Sequence, residues 1–245
     1  MIPKSIYSSI LKSKKSGKKQ FALLIDPDKF KKSKILALAE RAGVDFIMVG
    51  GSLITNGNIE DCIKKIKAET NIPVIIFPGN NLQISQQADA ILLLSLISGR
   101  NANLLIGDHV IAAPSLKSSN LEIISTGYML IESGNHTAAA YMSNTSPIPS
   151  DKYDIAMCTA MAGEMLGLKL IYLDAGSGAA KTIHESMIHK VSSSVSIPVI
   201  AGGGINTVAK AIASCKAGAD IIVVGNAIEK DASLIKKIAA AVHKL

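Results

Sequence analysis

The sequence predicts one α/β domain, a single (β/α)8 barrel over residues 1–245, on three observations. A length of 245 residues is long for an ordinary domain and usual for a parallel barrel. Eight short apolar, β-branched runs, bounded by Gly, Pro, Asp or Ser, read as buried parallel strands. Amphipathic stretches lie between most of them, and no linker interrupts the alternation.

The strands are expected at Phe21–Asp26, Phe46–Gly50, Val74–Pro78, Ala90–Ser95, Ile123–Glu132, Leu170–Asp174, Val199–Ala201 and Ile221–Gly225. Helices are expected at Lys32–Ala42, Ile59–Glu69, Tyr153–Leu166, Thr182–Ser193 and Thr207–Ala217. Arg41-Ala-Gly43 and Lys216-Ala-Gly218 each end a helix on a glycine suited to a C-cap. Eight strands favour a closed barrel over an open, doubly wound sheet. The polar stretch Ser133–Lys152, with Pro147 and Pro149, is the longest loop and is expected to lie over the site. Residues 1–20 read as a Lys-rich segment packed on, or preceding, the barrel.

Cys62, Cys158 and Cys215 are far apart, odd in number and free of CxxC spacing. They are expected to be reduced, buried small hydrophobes, which fits a reducing cytosol. The polar N-terminus lacks an apolar signal region, and the longest apolar run, Ala90–Leu96, has strand length, so a soluble cytoplasmic protein is expected. The net charge of +7 gathers at Lys12, Lys14, Lys15, Lys18 and Lys19, then at Lys29, Lys31, Lys32 and Lys34. Such a cluster is a solvated face, or it attracts a polyanionic substrate or an anionic membrane surface, so peripheral membrane contact stays open. Nucleic acid is not an expected partner: no reading motif accompanies the charge, aromatics are 4% and Trp is absent.

In such a barrel chemistry sits where strands end. Strands seven and eight end in Gly202-Gly-Gly204 and Gly225-Asn226, where glycines let backbone N–H groups approach an anion. A short helix after Asn226 would add its positive end. Strand six ends in Asp174-Ala-Gly-Ser-Gly178, a second arm of one cradle for a small phosphate ester. Asp174 would accept hydrogen bonds from a polyol or take up a proton, or serve as a turn carboxylate. Strand one ends in Asp26-Pro-Asp28, paired carboxylates that suggest an oxygen site for Mg²⁺, with Ser52 from neighbouring strand two joining Asp26. Asp28 alternatively caps the following helix.

Taken together, Asp26-Pro-Asp-Lys, Val49-Gly-Gly-Ser-Leu-Ile-Thr55, Gly127-Tyr-Met-Leu-Ile-Glu-Ser133, Tyr172-Leu-Asp-Ala-Gly-Ser-Gly-Ala179, Gly202-Gly-Gly-Ile205 and Gly225-Asn226 resemble the geranylgeranylglyceryl phosphate synthase family. The resemblance runs in order over nearly the whole chain, and Leu93–Asn101 and Ile106–Val110 extend it. The Ala-Gly-Ser-Gly-Ala run is similar to the family's second group, related to bacterial heptaprenylglyceryl phosphate synthases. The resemblance implies a TIM barrel that uses Mg²⁺ to join a prenyl diphosphate to the 3-hydroxyl of sn-glycerol 1-phosphate. Tyr172, Leu173, Asp174, Ala175, Gly176, Ser177, Gly178, Ala179, Gly203, Gly204, Gly225 and Asn226 match the family's glycerol-phosphate contacts, and Asp26 and Ser52 its magnesium ligands. The family commonly carries Glu where this chain has Asp174, so the carboxylate reaches one methylene less.

The mechanism that follows makes Asp174 or Glu132 the proton acceptor. The prenyl tail needs an apolar groove, with the Leu-rich fourth strand and Gly99–Ile106 as candidate walls. The family name implies a twenty-carbon tail, and barrels of this kind often form homo-oligomers. Two other readings remain open on the phosphate turns alone. One is an isomerase, epimerase or aldolase acting on a sugar or triose phosphate, with no need of an apolar groove. The other is a non-catalytic phosphate-ligand binder, in which the strand-one acids would be idle. His109, His136, His184, His189 and His243 share no metal spacing and are expected at the surface or in the core. Lys169 begins strand six, at the wrong face for a Schiff base.

Overall fold

The computed structural model describes residues 5–30 and 34–245. Lys31 and Lys32, and the start of the helix expected at Lys32, lie outside the described residues. Eight parallel strands pair in sequence order and close into a barrel: β1 (Gln20–Ile25), β2 (Phe46–Val49), β3 (Val74–Ile76), β4 (Ala90–Leu96), β5 (Glu122–Leu130), β6 (Leu170–Asp174), β7 (Val199–Gly202) and β8 (Ile221–Val224). Every expected strand is found, with ends shifted by at most 2 residues. The helices are α1 (Ile6–Lys15), α2 (Ile35–Ala42), α3 (Ile59–Glu69), α4 (Asp108–Ser118), α5 (Ala138–Ser143), α6 (Tyr153–Met165), α7 (Glu185–Ser192), α8 (Val208–Lys216), α9 (Asn226–Lys230) and α10 (Leu234–Val242). A π-helical turn, Asn103–Gly107, leads into α4.

The strands read as continuous apolar runs because both of their faces are covered. Phe46 and Met48 of β2 pack inside the barrel with Ala22, Ile75, Leu92 and Val223, while Ile47 and Val49 face the helices. Small Ala22 stands in register with Phe46 on one side and Val223 on the other, which lets bulky neighbours fill the centre.

The Lys-rich N-terminal segment is a helix that closes the floor of the barrel. Ile6 and Ile10, one turn apart on α1, are buried in the inner core. Glu122, at the first position of β5, accepts hydrogen bonds from the Ser5 hydroxyl (2.5 Å) and the N–H groups of Ile6 (2.6 Å) and Tyr7 (3.1 Å). A carboxylate there satisfies donors that a helix start leaves open and complements its dipole. Lys14 and Lys19 pair with Asp220 at 2.9 and 3.5 Å, just before β8 on the same floor. This half of the basic cluster therefore lies at the end of the barrel opposite the strand C-termini, and it does not draw substrate into the mouth.

Gly43 ends α2 in the left-handed conformation expected of a C-cap. The loop expected over the site carries α5 and a parallel bridge between Ile131 and Ile148. No helix separates β3 from β4 among the described residues; residues 77–89 cross as a loop along the mouth. Cys62 and Cys215 are free and buried, and Cys158 is exposed, which corrects the expectation of three buried thiols. It sits on α6, an apolar helix whose outer face the periodicity does not mark.

Candidate active site

A cavity of about 680 Å³ opens at the C-terminal ends of the strands. One side of it is a cradle of backbone. Gly176, Gly178, Gly203 and Gly204 adopt φ of +88°, +77°, +82° and +69°. A Cβ on Gly203 would lie 2.7 Å from the Gly176 nitrogen, so the turns after β6 and β7 touch backbone to backbone. No acceptor is found among the described residues for the N–H groups of Ser177, Gly178, Gly203 and Gly204, all at the cavity wall. Asn226, at the start of α9, donates from its amide to the Ser177 hydroxyl at 2.9 Å and ties the β8 turn to the β6 turn. Lys210, on the first turn of α8, donates to the Gly204 carbonyl at 3.3 Å. Unsatisfied N–H groups beside a lysine suit a phosphate.

Asp174 stands where this cradle meets the barrel interior. It is 7% exposed, and accepts the Gly176 N–H at 2.7 Å and the Tyr128 hydroxyl at 2.6 Å. Burial raises its pKa, against the lowering effect of those two hydrogen bonds. Burial, and then the neighbouring Asp174 charge, push the Tyr128 phenol well above its ordinary range, so it stays a donor. Tyr128 and Tyr172 meet edge to face at 5.6 Å, and Tyr172 stacks on Phe77 at 5.0 Å. Tyr128 and Tyr172 thus flank one buried carboxylate, and Phe77 packs against both rings.

The opposite side is built from side chains. Asp26 follows β1 and lines the cavity with Ser52. One Asp26 oxygen accepts the Asp28 N–H at 3.0 Å, and the other pairs with Lys29 at 3.0 Å, which also reaches Glu229 at 3.7 Å. Among the described residues Asp28 is bound to the loop after β2, its carboxylate accepting the N–H groups of Thr55 (2.8 Å), Asn56 (3.0 Å) and Gly57 (2.5 Å) and the Thr55 hydroxyl (3.0 Å). Those backbone bonds hold its pKa down to about 2. Gln83 accepts from the Gly79 N–H at 3.0 Å and donates to the Gly51 carbonyl at 2.7 Å, pinning the loop that carries Ser52. Among the described residues no three His, Cys, Asp or Glu side chains gather as a metal cage.

Beyond Phe77 the same cavity runs into an apolar arm. Leu94 and Leu96 of β4 line it with Leu104, and it continues between β4 and α4 along Ile91, Leu93, Ala112 and Leu116. Met142 of α5 lies at its rim, half exposed. Of the two expected tail walls, the fourth strand lines the arm, while Gly99–Ile106 reaches it only through Leu104.

The sequence pattern of the PcrB family matches residues 14–242. The chain belongs to the PcrB family. A relative named geranylgeranylglyceryl phosphate synthase, from Chitinophaga pinensis, is 58% identical over 241 residues, covering 97% of this chain and 96% of its own. One of the same name from Thermococcus kodakarensis is 41% identical over 218 residues, covering 87% of this chain and 86% of its own. The crystal structure of (S)-3-O-geranylgeranylglyceryl phosphate synthase from Thermoplasma acidophilum, in complex with sn-glycerol-1-phosphate, matches with a TM-score of 0.90 at 33% identity, covering 98% of this chain and 99% of that one.

Within this PcrB-family barrel, the cavity brings together Asp26, Ser52, Tyr172, Asp174, Gly176, Ser177, Gly178, Ala179, Gly203, Gly204, Gly225 and Asn226. Three expected residues fall outside it. Leu173 and Ala175 are buried in the layer between strands and helices, because alternate residues of a strand face opposite ways. Glu132 is exposed and accepts the Ser150 N–H at 3.3 Å, so it anchors the covering loop and does not line the cavity. His109, expected at the surface or in the core, lines the apolar arm. Tyr128, Phe77, Gln83 and Lys210 do not stand out as site residues in the sequence. Tyr128 carries a signal all the same: it is in register with Tyr172 across β5 and β6, a pairing that only the barrel register reveals.

Proposed function

We propose that this protein joins a prenyl diphosphate to the 3-hydroxyl of sn-glycerol 1-phosphate, giving an ether-lipid precursor and diphosphate. One observation carries the reading: a single cavity connects the glycine cradle and Asp174 to Asp26 and to a long apolar arm. An isomerase, epimerase or aldolase of a triose or sugar phosphate has no use for such an arm. The names of the relatives, and the sn-glycerol-1-phosphate bound in the Thermoplasma acidophilum enzyme, support the same reading.

In this reading the cradle holds the glycerol phosphate, and Asp174 accepts the proton of the 3-hydroxyl as its oxygen bonds to the prenyl C1. The C1–O bond to diphosphate breaks in exchange, and diphosphate leaves with its electron pair. Tyr128 keeps the carboxylate turned toward the hydroxyl and the rings exclude water from it. Asp26 and Ser52 fit Mg²⁺: both are hard oxygen donors, and Asp26 already holds the Lys29 cation at 3.0 Å. Two protein ligands suffice for an ion that keeps waters and takes phosphate oxygens. When bound, the ion would neutralise charge on the departing diphosphate.

The test is incubation with Mg²⁺, sn-glycerol 1-phosphate and radiolabelled prenyl diphosphates of graded length, followed by solvent extraction. Ether product is expected, best with the twenty-carbon geranylgeranyl tail, and with preference over the 3-phosphate enantiomer. Absence of product at every length overturns the reading.

A further inference from the structure

The cation nearest the expected metal position belongs to the chain itself. Lys29 follows Asp26 by three residues and lines the same cavity. Its Nζ is 3.0 Å from Asp26 Oδ2 and 3.7 Å from Glu229 Oε2, so one ammonium bridges the end of β1 and α9. The other Asp26 oxygen accepts the Asp28 N–H at 3.0 Å. The carboxylate oxygen not bound to backbone is therefore the one that Lys29 holds. Hydrogen bonding to Asp26 keeps the Lys29 pKa above its ordinary value, so the side chain is charged at neutral pH.

A divalent cation at Asp26 must share that oxygen with the ammonium or displace it, and two cations on one oxygen repel each other. Displacement costs little, because Lys29 is half exposed and ion pairs of that kind are weak. Glu229 offers the freed ammonium a second carboxylate within the cavity, so it stays at the mouth. There it meets the charge that a diphosphate brings. A lysine is a mobile point charge with three donors, suited to phosphate oxygens.

We propose that Lys29 is a binding residue for the diphosphate, held on Asp26 in the ligand-free protein and passed to the diphosphate when a divalent cation takes the carboxylate. The inference rests on the prenyltransferase reading above and on its metal position. One side chain then has opposite effects on two ligands: it competes with the cation and recruits the anion. A residue that merely supported the loop would, on removal, weaken both.

The experiment is calorimetric titration of the whole protein with Mn²⁺ alone, and then with inorganic diphosphate at saturating Mn²⁺. Lys29→Met should bind Mn²⁺ ~5-fold more tightly than wild type, the upper range for losing a half-exposed ion pair. It should bind diphosphate ~10-fold more weakly, the loss of one charge-assisted hydrogen bond. Lys29→Arg keeps the charge and should reproduce neither change, and Lys29→Gln gives the same readout should the methionine variant fail to fold. Mn²⁺ affinity that does not rise, or diphosphate affinity that does not fall, overturns the inference. Asp26→Asn should lose Mn²⁺; if it binds as tightly as wild type, the metal position itself is wrong and the inference falls with it. A wild-type protein that binds both ligands yet transfers no prenyl group sinks the prenyltransferase reading separately.

Discussion

The two sides of the cavity are made of different material. The side fed by β6, β7 and β8 is backbone: four glycines at positive φ, turns in contact with each other and N–H groups left for a ligand. The side fed by β1 to β4 is side chains: Asp26 shared between the Asp28 N–H and Lys29, Ser52 on a loop pinned by Gln83, and an aliphatic arm. A backbone cradle is preorganised and binds one small, constant group, a phosphate. In the proposed reaction the wall of side chains would meet the diphosphate and its tail.

Asp26→Asn is the strongest attempt to break that division. Loss of the charge should cut turnover by ~10³-fold, since charge stabilisation on a departing phosphoryl oxygen contributes several kcal/mol, while calorimetric affinity for sn-glycerol 1-phosphate stays near wild type. Equal loss of glycerol-phosphate binding would show the two sides to be one site. Gly203→Ala is the mirror experiment. Its Cβ would press on the Gly176 nitrogen at 2.7 Å from a φ of +82°, so the cradle must move. A displacement near ~1 Å should weaken glycerol-phosphate handling by ~10²-fold, with prenyl diphosphate binding retained. If both ligands weaken together, the cradle is not independent of the opposite wall.

Tyr128→Phe sharpens the boundary itself, because Tyr128 touches Asp174 from the arm side. Asp174 is raised by burial, so the acid limb of kcat/KM should have its midpoint above the ordinary aspartate value of ~3.9. The Tyr128 hydroxyl bonds to the charged carboxylate and lowers that midpoint. Its removal should therefore shift the limb to higher pH and reduce kcat/KM by ~10-fold at neutral pH. A limb that does not move would mean that a group other than Asp174 accepts the proton.

Much of this is legible without the fold, and the reasons are specific. Buried parallel strands write themselves as short apolar runs, so all eight can be placed. Few features of a barrel besides an anion cradle need paired glycines at its strand ends, so the cradle can be placed as well. Leu173 and Ala175 enter with it only when the matching motif is taken whole; strand alternation by itself sends them to the other face. α4 is hidden because its apolar residues do not gather on one face: Ala112 and Leu116 line the arm while Ile106, Val110 and Ile111 near or on it stay exposed. The spacing of Ile235, Ile238, Ala239 and Val242 does mark α10, a signal the strand-centred reading passes over. Glu132 looks like a mouth residue because the apolar run continues past the end of β5; the chain turns away after Leu130 to pair with Ile148. The partner of Asp174 cannot be read at all, since Tyr128 lies 46 residues away and only the β5–β6 register joins them.

The floor of the barrel supplies the smallest expected effect, and a control on the comparison of the two walls. Glu122 binds the Ser5 hydroxyl and the N–H groups of Ile6 and Tyr7, and these bonds hold α1 and its buried Ile6 and Ile10 under the barrel. Replacing it with Ala removes a capping carboxylate and leaves the two N–H groups without their acceptor, a loss of ~2 kcal/mol. In a protein of this size that corresponds to a fall in Tm of ~4–8 °C. Glu122 opens β5 at the end opposite Tyr128, so the loss should not reach the mouth: kcat and both KM values should stay at wild-type levels below the melting transition. Thermal melts and initial rates on the same preparation check both halves. Unchanged Tm would mean that α1 is held by its two isoleucines alone. Altered KM for either substrate would mean that the inner core transmits the floor's packing to the mouth, and that neither wall of the cavity is as self-contained as its hydrogen bonds make it look.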